Sequence, residues 1–235
     1  METQKEFDII FIQEPPWSFI YSISSLSNKK GKHLGISNYP NWKTFSRNLS
    51  NPNNSPRVII YINIWLANLH FVLHKDIFNY RDISCISFFN CSSIYFLLNI
   101  YSDSLQLALK YLKDTEVNIN NVLIITGDFN IRDSLWDLLY PYHLIHKDTL
   151  TYIADSFQLS ISSSIVQVPI RYADNQDNSD SIIDLMFLRP MSEEFNNHSI
   201  LLDWRLSLDY ALIIVKILIL EEKILTRKYT IIKND

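Results

Sequence analysis

A series of short runs rich in β-branched and aromatic residues sets the limits on what this chain can fold into. They are Asp8–Gln13 (DIIFIQ), Val58–Ile64 (VIIYINI), Ile83–Phe89 (ISCISFF), Ile94–Tyr101 (IYFLLNIY), Val122–Thr126 (VLIIT), Ile182–Leu188 (IIDLMFL) and Ala211–Leu220. Each is bounded by polar, turn-forming residues, and that length and composition predict strands rather than helices. Their hydrophobicity is nearly continuous instead of alternating, so both faces of most strands must be covered. Helical spacing is sparser. Ser102–Lys113 carries Leu105, Ala108, Leu109 and Leu112 on one face, with Ser102 or Asp103 available as a cap. Asp148–Phe157 repeats the pattern with Leu150, Ile153, Ala154 and Phe157. Ser25–Asn54 and Tyr172–Ser181 are rich in Ser, Asn, Asp and Pro and read as surface loops. Strands and helices interleave along the whole chain, which points to one α/β sandwich domain over residues 7–221 and a tail over 222–235.

Composition excludes several classes of function. Hydrophobic residues make up 47% of the chain and charged residues 20%, enough to bury a sizeable core. The net charge of −4 does not suit a protein that coats a polyanion, so contact with nucleic acid must be local or assisted by a cation. With only 3 Gly the chain lacks material for glycine-rich phosphate loops. Its 2 Cys, Cys85 and Cys91, form no CxxC pair, which removes a cysteine zinc site. Ala211–Leu220 contains Lys216 and falls well short of the roughly twenty residues a membrane helix needs. Met1–Phe7 is polar and of mixed charge, unlike a secretory leader. The expectation is a soluble intracellular protein with no membrane partner.

Acidic and amide residues recur where the predicted strands end. Glu14 follows the first strand and precedes Pro15-Pro16-Trp17, and Asn99 and Tyr101 close the Ile94–Tyr101 run. Gly127-Asp128-Phe129-Asn130 follows Val122–Thr126, Asp184 sits in Ile182–Leu188, and Asp209 starts the last strand. Open α/β folds build sites in this way, at one edge of a sheet. A carboxylate beside a buried strand is costly unless paired or bound to metal. Two or more carboxylates with amide oxygens make a hard cage suited to Mg²⁺ or Mn²⁺. Such an ion would polarise a phosphoryl oxygen and let an acidic protein hold a phosphate.

The ordered set IIFIQEPPW, NIYSDS, ITGDFNIRDSLWD and SIIDLMFLRP resembles the endonuclease/exonuclease/phosphatase superfamily. The branch it looks most like is the apurinic-endonuclease-like domain of non-LTR retrotransposons, and the resemblance runs over nearly the entire chain. It implies a four-layer sandwich of two packed sheets with helices outside, and Mg²⁺-dependent hydrolysis of DNA phosphodiesters. By that resemblance Glu14 binds the metal, Tyr101 contacts the scissile phosphate, Asp128 activates the water and Asn130 holds phosphate oxygens. Asn99, Asp184 and Arg171 are expected to line the phosphate and substrate surface. Asp209 matches the Asp of a closing Ser-Asp-His motif. Implied partners are DNA and a reverse transcriptase domain of the same element, and action on genomic DNA implies the nucleus.

The chain departs from that pattern in three places. The closing motif reads Leu208-Asp209-Tyr210, with Tyr210 where the family has His. A phenol titrates near 10 and an imidazole near about 6.5, so Tyr210 can donate a hydrogen bond but carries no positive charge at neutral pH. Losing one such partner costs about 10²–10⁴ in rate, so impaired turnover is expected. The family's first strand, with a metal-site Asn, would precede Phe7, where only Met1–Glu6 stand, so one strand and one oxygen ligand are expected to be missing. Pro169-Ile170-Arg171 also replaces a family Pro-Thr-Arg. His198, in Asn196–Ser199, is the nearest candidate substitute for the closing His. His143 and His146 follow GDFN in an expected loop, and a solvated loop His is the commoner state for all three. Two other functions compete: a catalytically inactive remnant that binds nucleic acid or protein, and a phosphatase of small phosphorylated molecules.

Overall fold

The computed structural model describes residues 8–15, 18–22, 31–35, 40–46, 56–90, 93–103, 105–115, 119–137, 145–161, 184–190, 197–207 and 210–216. The elements run β1 (Ile9–Gln13), β2 (Ser18–Ser22), β3 (Gly31–Gly35), β4 (Trp42–Phe45), β5 (Val58–Asn63), a 3₁₀ helix (Ile64–Leu69), β6 (Val72–Leu73), β7 (Ile83–Asn90) and β8 (Ser93–Tyr101). There follow α1 (Leu107–Asp114), β9 (Val122–Asp128), α2 (Ile145–Ser156), β10 (Ser160–Ile161), β11 (Asp184–Leu188), β12 (Asn197–Ser207) and β13 (Tyr210–Lys216).

Two sheets carry the α/β sandwich. The smaller has the order β1-β5-β4 and the larger β10-β11-β9-β8-β7-β6. They meet through β1 and β5 on one side and β7, β8 and β9 on the other. β5 is buried along its whole length, as is β9. The continuous apolar runs therefore mark the two strands covered on both faces. Among the described residues every pairing is antiparallel except β8 with β9. A parallel pair needs a crossover, and α1 supplies it. Ala108, Leu109 and Leu112 of α1 and Leu150, Ile153 and Ala154 of α2 join one core cluster with both sheets. Among the described residues β1 has a strand partner on one side only, β5. No helix among the described residues is long and apolar enough to cross a membrane.

Several boundaries differ from expectation. β3 and β4 lie inside the stretch Ser25–Asn54 that reads as loop. β4 is a short edge strand whose Trp42-Lys43-Thr44-Phe45 pattern is too brief to show a period. β12 covers Asn197–Ser207, so His198 stands in a strand opposite Val215 and not in a loop. His146 falls in α2, not a loop. α1 begins at Leu107 rather than Ser102, because the polar side chains ahead of it build a turn instead of a cap. Asp103 Oδ1 accepts from Leu105 N at 3.2 Å, and Ser102 Oγ bonds Gln106 Oε1 at 2.7 Å. Gln106 then enters the helix in a left-handed conformation, φ 54°, with no side-chain cap. His143, Arg171, Asp209, the Tyr172–Ser181 segment and residues 217–235 lie outside the described residues.

Candidate active site

Strand register brings the acidic strand ends together. β8 and β9 run parallel with Tyr101 beside Asp128, and β11 pairs antiparallel with β9 so that Asp184 stands directly opposite Asp128. Tyr101, Asp128 and Asp184 thus form one row across three adjacent strands. Glu14 comes from the other sheet, just beyond β1. Its backbone is left-handed at φ 46°, and its N–H donates to Arg57 O at 2.7 Å, which turns the chain sharply as it leaves the strand.

Tyr101 joins the two sides. Its half-buried phenol lies against the Glu14 carboxylate, and its pKa is pushed up to about 12. Burial is the largest cause, followed by the Glu14 hydrogen bond and the negative charges of Glu14 and Asp128, with Arg57 pulling the other way. Tyr101 is therefore a neutral hydrogen-bond donor throughout the physiological range.

The Gly127–Asn130 turn is fixed by its own atoms. Asp128 is nearly buried, and its Oδ1 accepts from Asn130 N at 3.0 Å. Asn130 is left-handed at φ 49°, a conformation Asn tolerates well. Its Nδ2 donates to Ser102 O at 2.9 Å, and Ser102 N donates to Asp128 O at 2.8 Å. The loops after β8 and β9 are thereby tied to each other. Gln106 Nε2 adds a bond to Phe129 O at 3.0 Å.

Nothing matches this chain among protein-family models or among curated proteins. Solved structures do match. The endonuclease domain of TRAS1, a telomere-specific non-LTR retrotransposon, superposes with a TM-score of 0.64 at 15% identity, over 92% of this chain and 88% of that one. The chain has the fold of that endonuclease domain. Truncated Caenorhabditis elegans TDP2 matches more distantly, with a TM-score of 0.41 at 12% identity over 71% of this chain and 68% of that one. D. rerio TDP2 complexed with a single-strand DNA product gives 0.39 at 11% identity over 73% and 72%.

Within this endonuclease-like fold, Glu14, Tyr101, Asp128, Asn130 and Asp184 all gather at one edge of the sandwich. Asn99 does not reach it. Expected at the phosphate surface, it is fully buried between the sheets, where Nδ2 donates to Ile12 O at 3.1 Å and Ile59 O at 2.8 Å. Its Oδ1 accepts from Gln13 Nε2 at 2.6 Å. Asn99 points from β8 straight at β1 and β5, two residues inside the row that carries Tyr101. It fixes Gln13, the residue before Glu14, and with donor and acceptor both engaged it has nothing to offer a phosphate. Tyr210 opens β13, which pairs with β12 in a two-stranded sheet.

Behind the site lies an Arg57 cluster that sequence reasoning missed. Arg57 precedes β5 and Asp82 precedes β7. The guanidinium bonds Asp82 through Nε at 2.8 Å and Nη2 at 2.6 Å, and reaches Asp103 at 3.3 Å. Asp82 drives the Arg57 pKa above its ordinary value. A charge pair 25 residues apart has no local signature; the one available sign is a charged residue immediately before each of two buried strands. Part of the GDFNIRDSLWD motif is structural as well. Asp133 closes a turn onto Leu135 N at 2.9 Å, and the buried Trp136 donates Nε1–H to Ile131 O at 3.1 Å. Arg189, from the FLRP segment, ties β11 to the start of β9 through Val122 O at 2.8 Å.

Proposed function

We propose that this chain is a divalent-metal-dependent DNA endonuclease domain of retrotransposon type, with slowed chemistry. The observation that carries this reading is the convergence of Glu14, Tyr101 and Asp128 from two sheets at one edge, with the Tyr101 phenol in electrostatic reach of both carboxylates. Among the described residues no three His, Cys, Asp or Glu groups converge into a closed metal cage. That donor set still fits Mg²⁺, which keeps several waters and is commonly held by one or two carboxylates plus substrate phosphate. Asp128 and Asp184, side by side on one face of the ladder, also carry like charges that a cation would offset. Glu14 would hold the ion, with Asp128 or Asp184 facing it.

A bound Mg²⁺ or Mn²⁺ supplies Lewis acidity at a phosphoryl oxygen and at the leaving oxygen. The chain's own groups do the rest. Asp128, held by Asn130 N, takes the proton from water as the water oxygen bonds to phosphorus and the P–O bond of the scissile linkage breaks. Asn130, its amide plane set by Ser102 O, has a second amide hydrogen for a phosphate oxygen. With Glu14 on the ion, Tyr101 turns its one phenolic hydrogen from that carboxylate to the same phosphate, and Arg171 and Asp209 extend the substrate surface. The preferred substrate is DNA, and the domain, residues 7–221, would act beside a reverse transcriptase of the same element in the nucleus.

Tyr210 sets the rate. It stands where the resembled motif has His, so the cationic partner of the transition state is missing. A supercoiled-plasmid nicking assay with Mg²⁺ tests this reading. The expected result is slow nicking by the wild type, abolished by Asp128→Ala and by Glu14→Ala and raised about 10²-fold or more by Tyr210→His. Nicking that persists in both alanine variants, or none in the wild type and Tyr210→His alike, contradicts it.

A further inference from the structure

We infer that Arg57 is a positioning residue of this site, holding Tyr101 and Glu14 in register across the two sheets; this rests on reading Glu14, Tyr101 and Asp128 as the reaction centre. Every part of Arg57 touches the frame of that centre. Its carbonyl accepts from Glu14 N at 2.7 Å, and its own N–H donates to Arg81 O at 3.3 Å, next to Asp82. Its guanidinium grips the buried Asp82 carboxylate with a two-pronged bond, and the Asp82 carbonyl in turn accepts from Tyr101 N at 2.9 Å. The same guanidinium lies 4.2 Å over the Tyr101 ring and reaches Asp103, in the loop that Asn130 ties down through Ser102.

One side chain therefore fixes both the backbone and the ring of Tyr101, while its backbone fixes Glu14. The planar fork is what makes this possible. It can bond Asp82 through two nitrogens, extend to Asp103 and still sit over an aromatic face, which an ammonium cannot do. The Coulombic attraction is replaceable; the geometry is not. A misplaced reacting group loses about 10²-fold in rate even when it remains chemically intact.

The test is Arg57→Lys in the full chain, read in two ways. The first is metal-dependent nicking: kcat is expected to fall about 10²-fold with KM little changed, because lysine keeps the charge but cannot hold the ring. The second does not depend on activity. Fluorotyrosine is incorporated, the Tyr101 ¹⁹F resonance is assigned by its disappearance in Tyr101→Phe, and its position is compared in wild type and Arg57→Lys. A shifted or broadened Tyr101 signal with the other tyrosines unmoved supports the inference. An unmoved Tyr101 signal in a folded Arg57→Lys protein overturns it, as does a kcat that falls only with the folded fraction. Should Arg57→Lys fail to fold, Asp103→Asn weakens the outer contact while keeping an Oδ1 that accepts from Leu105 N. A smaller displacement of the Tyr101 signal there supports the inference, and none overturns it. If wild-type nicking proves insensitive to Asp128→Ala, the functional reading fails while the fluorine comparison still decides the role of Arg57.

Discussion

Gly127→Ala is expected to destabilise the chain by about 3–5 kcal/mol, an exceptional loss for one methyl group. Gly127 sits at φ +153°, where L side chains are rarely found, and a Cβ there would lie 1.7 Å from the Ile100 carbonyl oxygen. The obstacle is the backbone of the neighbouring strand, so no rotamer change relieves it. β8 and β9 would have to separate where they run parallel, one residue before Tyr101 and Asp128. At this chain length the loss corresponds to a drop of about 10 °C in melting temperature, read by circular dichroism. A melting temperature equal to the wild type would mean that the close approach of Gly127 to Ile100 is wrong. The glycine of the GDFN motif is thus required by strand spacing, and the aspartate beside it inherits its position.

Asn99→Asp is the second large effect. The replacement has the same shape but turns an amide that donates to Ile12 O and Ile59 O into a carboxylate facing both oxygens. At neutral pH the new charge is buried without a donor on that side. A loss of about 3–5 kcal/mol is expected, the range for an uncompensated buried charge. The sign with pH follows from linkage. Burial raises the folded-state pKa of the new carboxyl, so the variant recovers stability as pH falls and loses it as pH rises through that raised value. Denaturant midpoints at acid and neutral pH check this, and a gap from wild type that is the same at both contradicts it. Gln13 would also lose its Oδ1 partner or pair with a charge, and Glu14 would move with it. A direct phosphate ligand at this position would predict lost activity with intact stability, which distinguishes the two roles.

The sequence was most legible where physics acts on a whole segment. β5 and β9 are covered on both faces, and unbroken apolar runs are the direct consequence. β4 and β12 escaped because an edge strand or a hairpin can be polar on its open side, and polar residues read as loop. The site was legible in its outline for a related reason. A carboxylate at the end of a buried strand is costly, so Glu14, Asp128 and Asp184 stand out against their neighbours. What could not be read was direction and distance. Asn99 and Tyr101 are two residues apart on the same strand and face, yet one reaches the edge and the other stops between the sheets. Arg57 and Asp82 meet only because β5 and β7 belong to sheets that pack together. Neither residue type nor spacing encodes that meeting; only the tertiary fold does.

A metal-dependent site at this edge requires one divalent ion held by Glu14 and faced by Asp128. Crystals soaked in Mn²⁺ and measured for anomalous scattering test this most directly. The prediction is a single strong peak within coordinating distance of the Glu14 carboxylate and facing Asp128, lost in Glu14→Ala crystals. A Mn²⁺ peak elsewhere on the molecule, or an unchanged peak in Glu14→Ala, would contradict it.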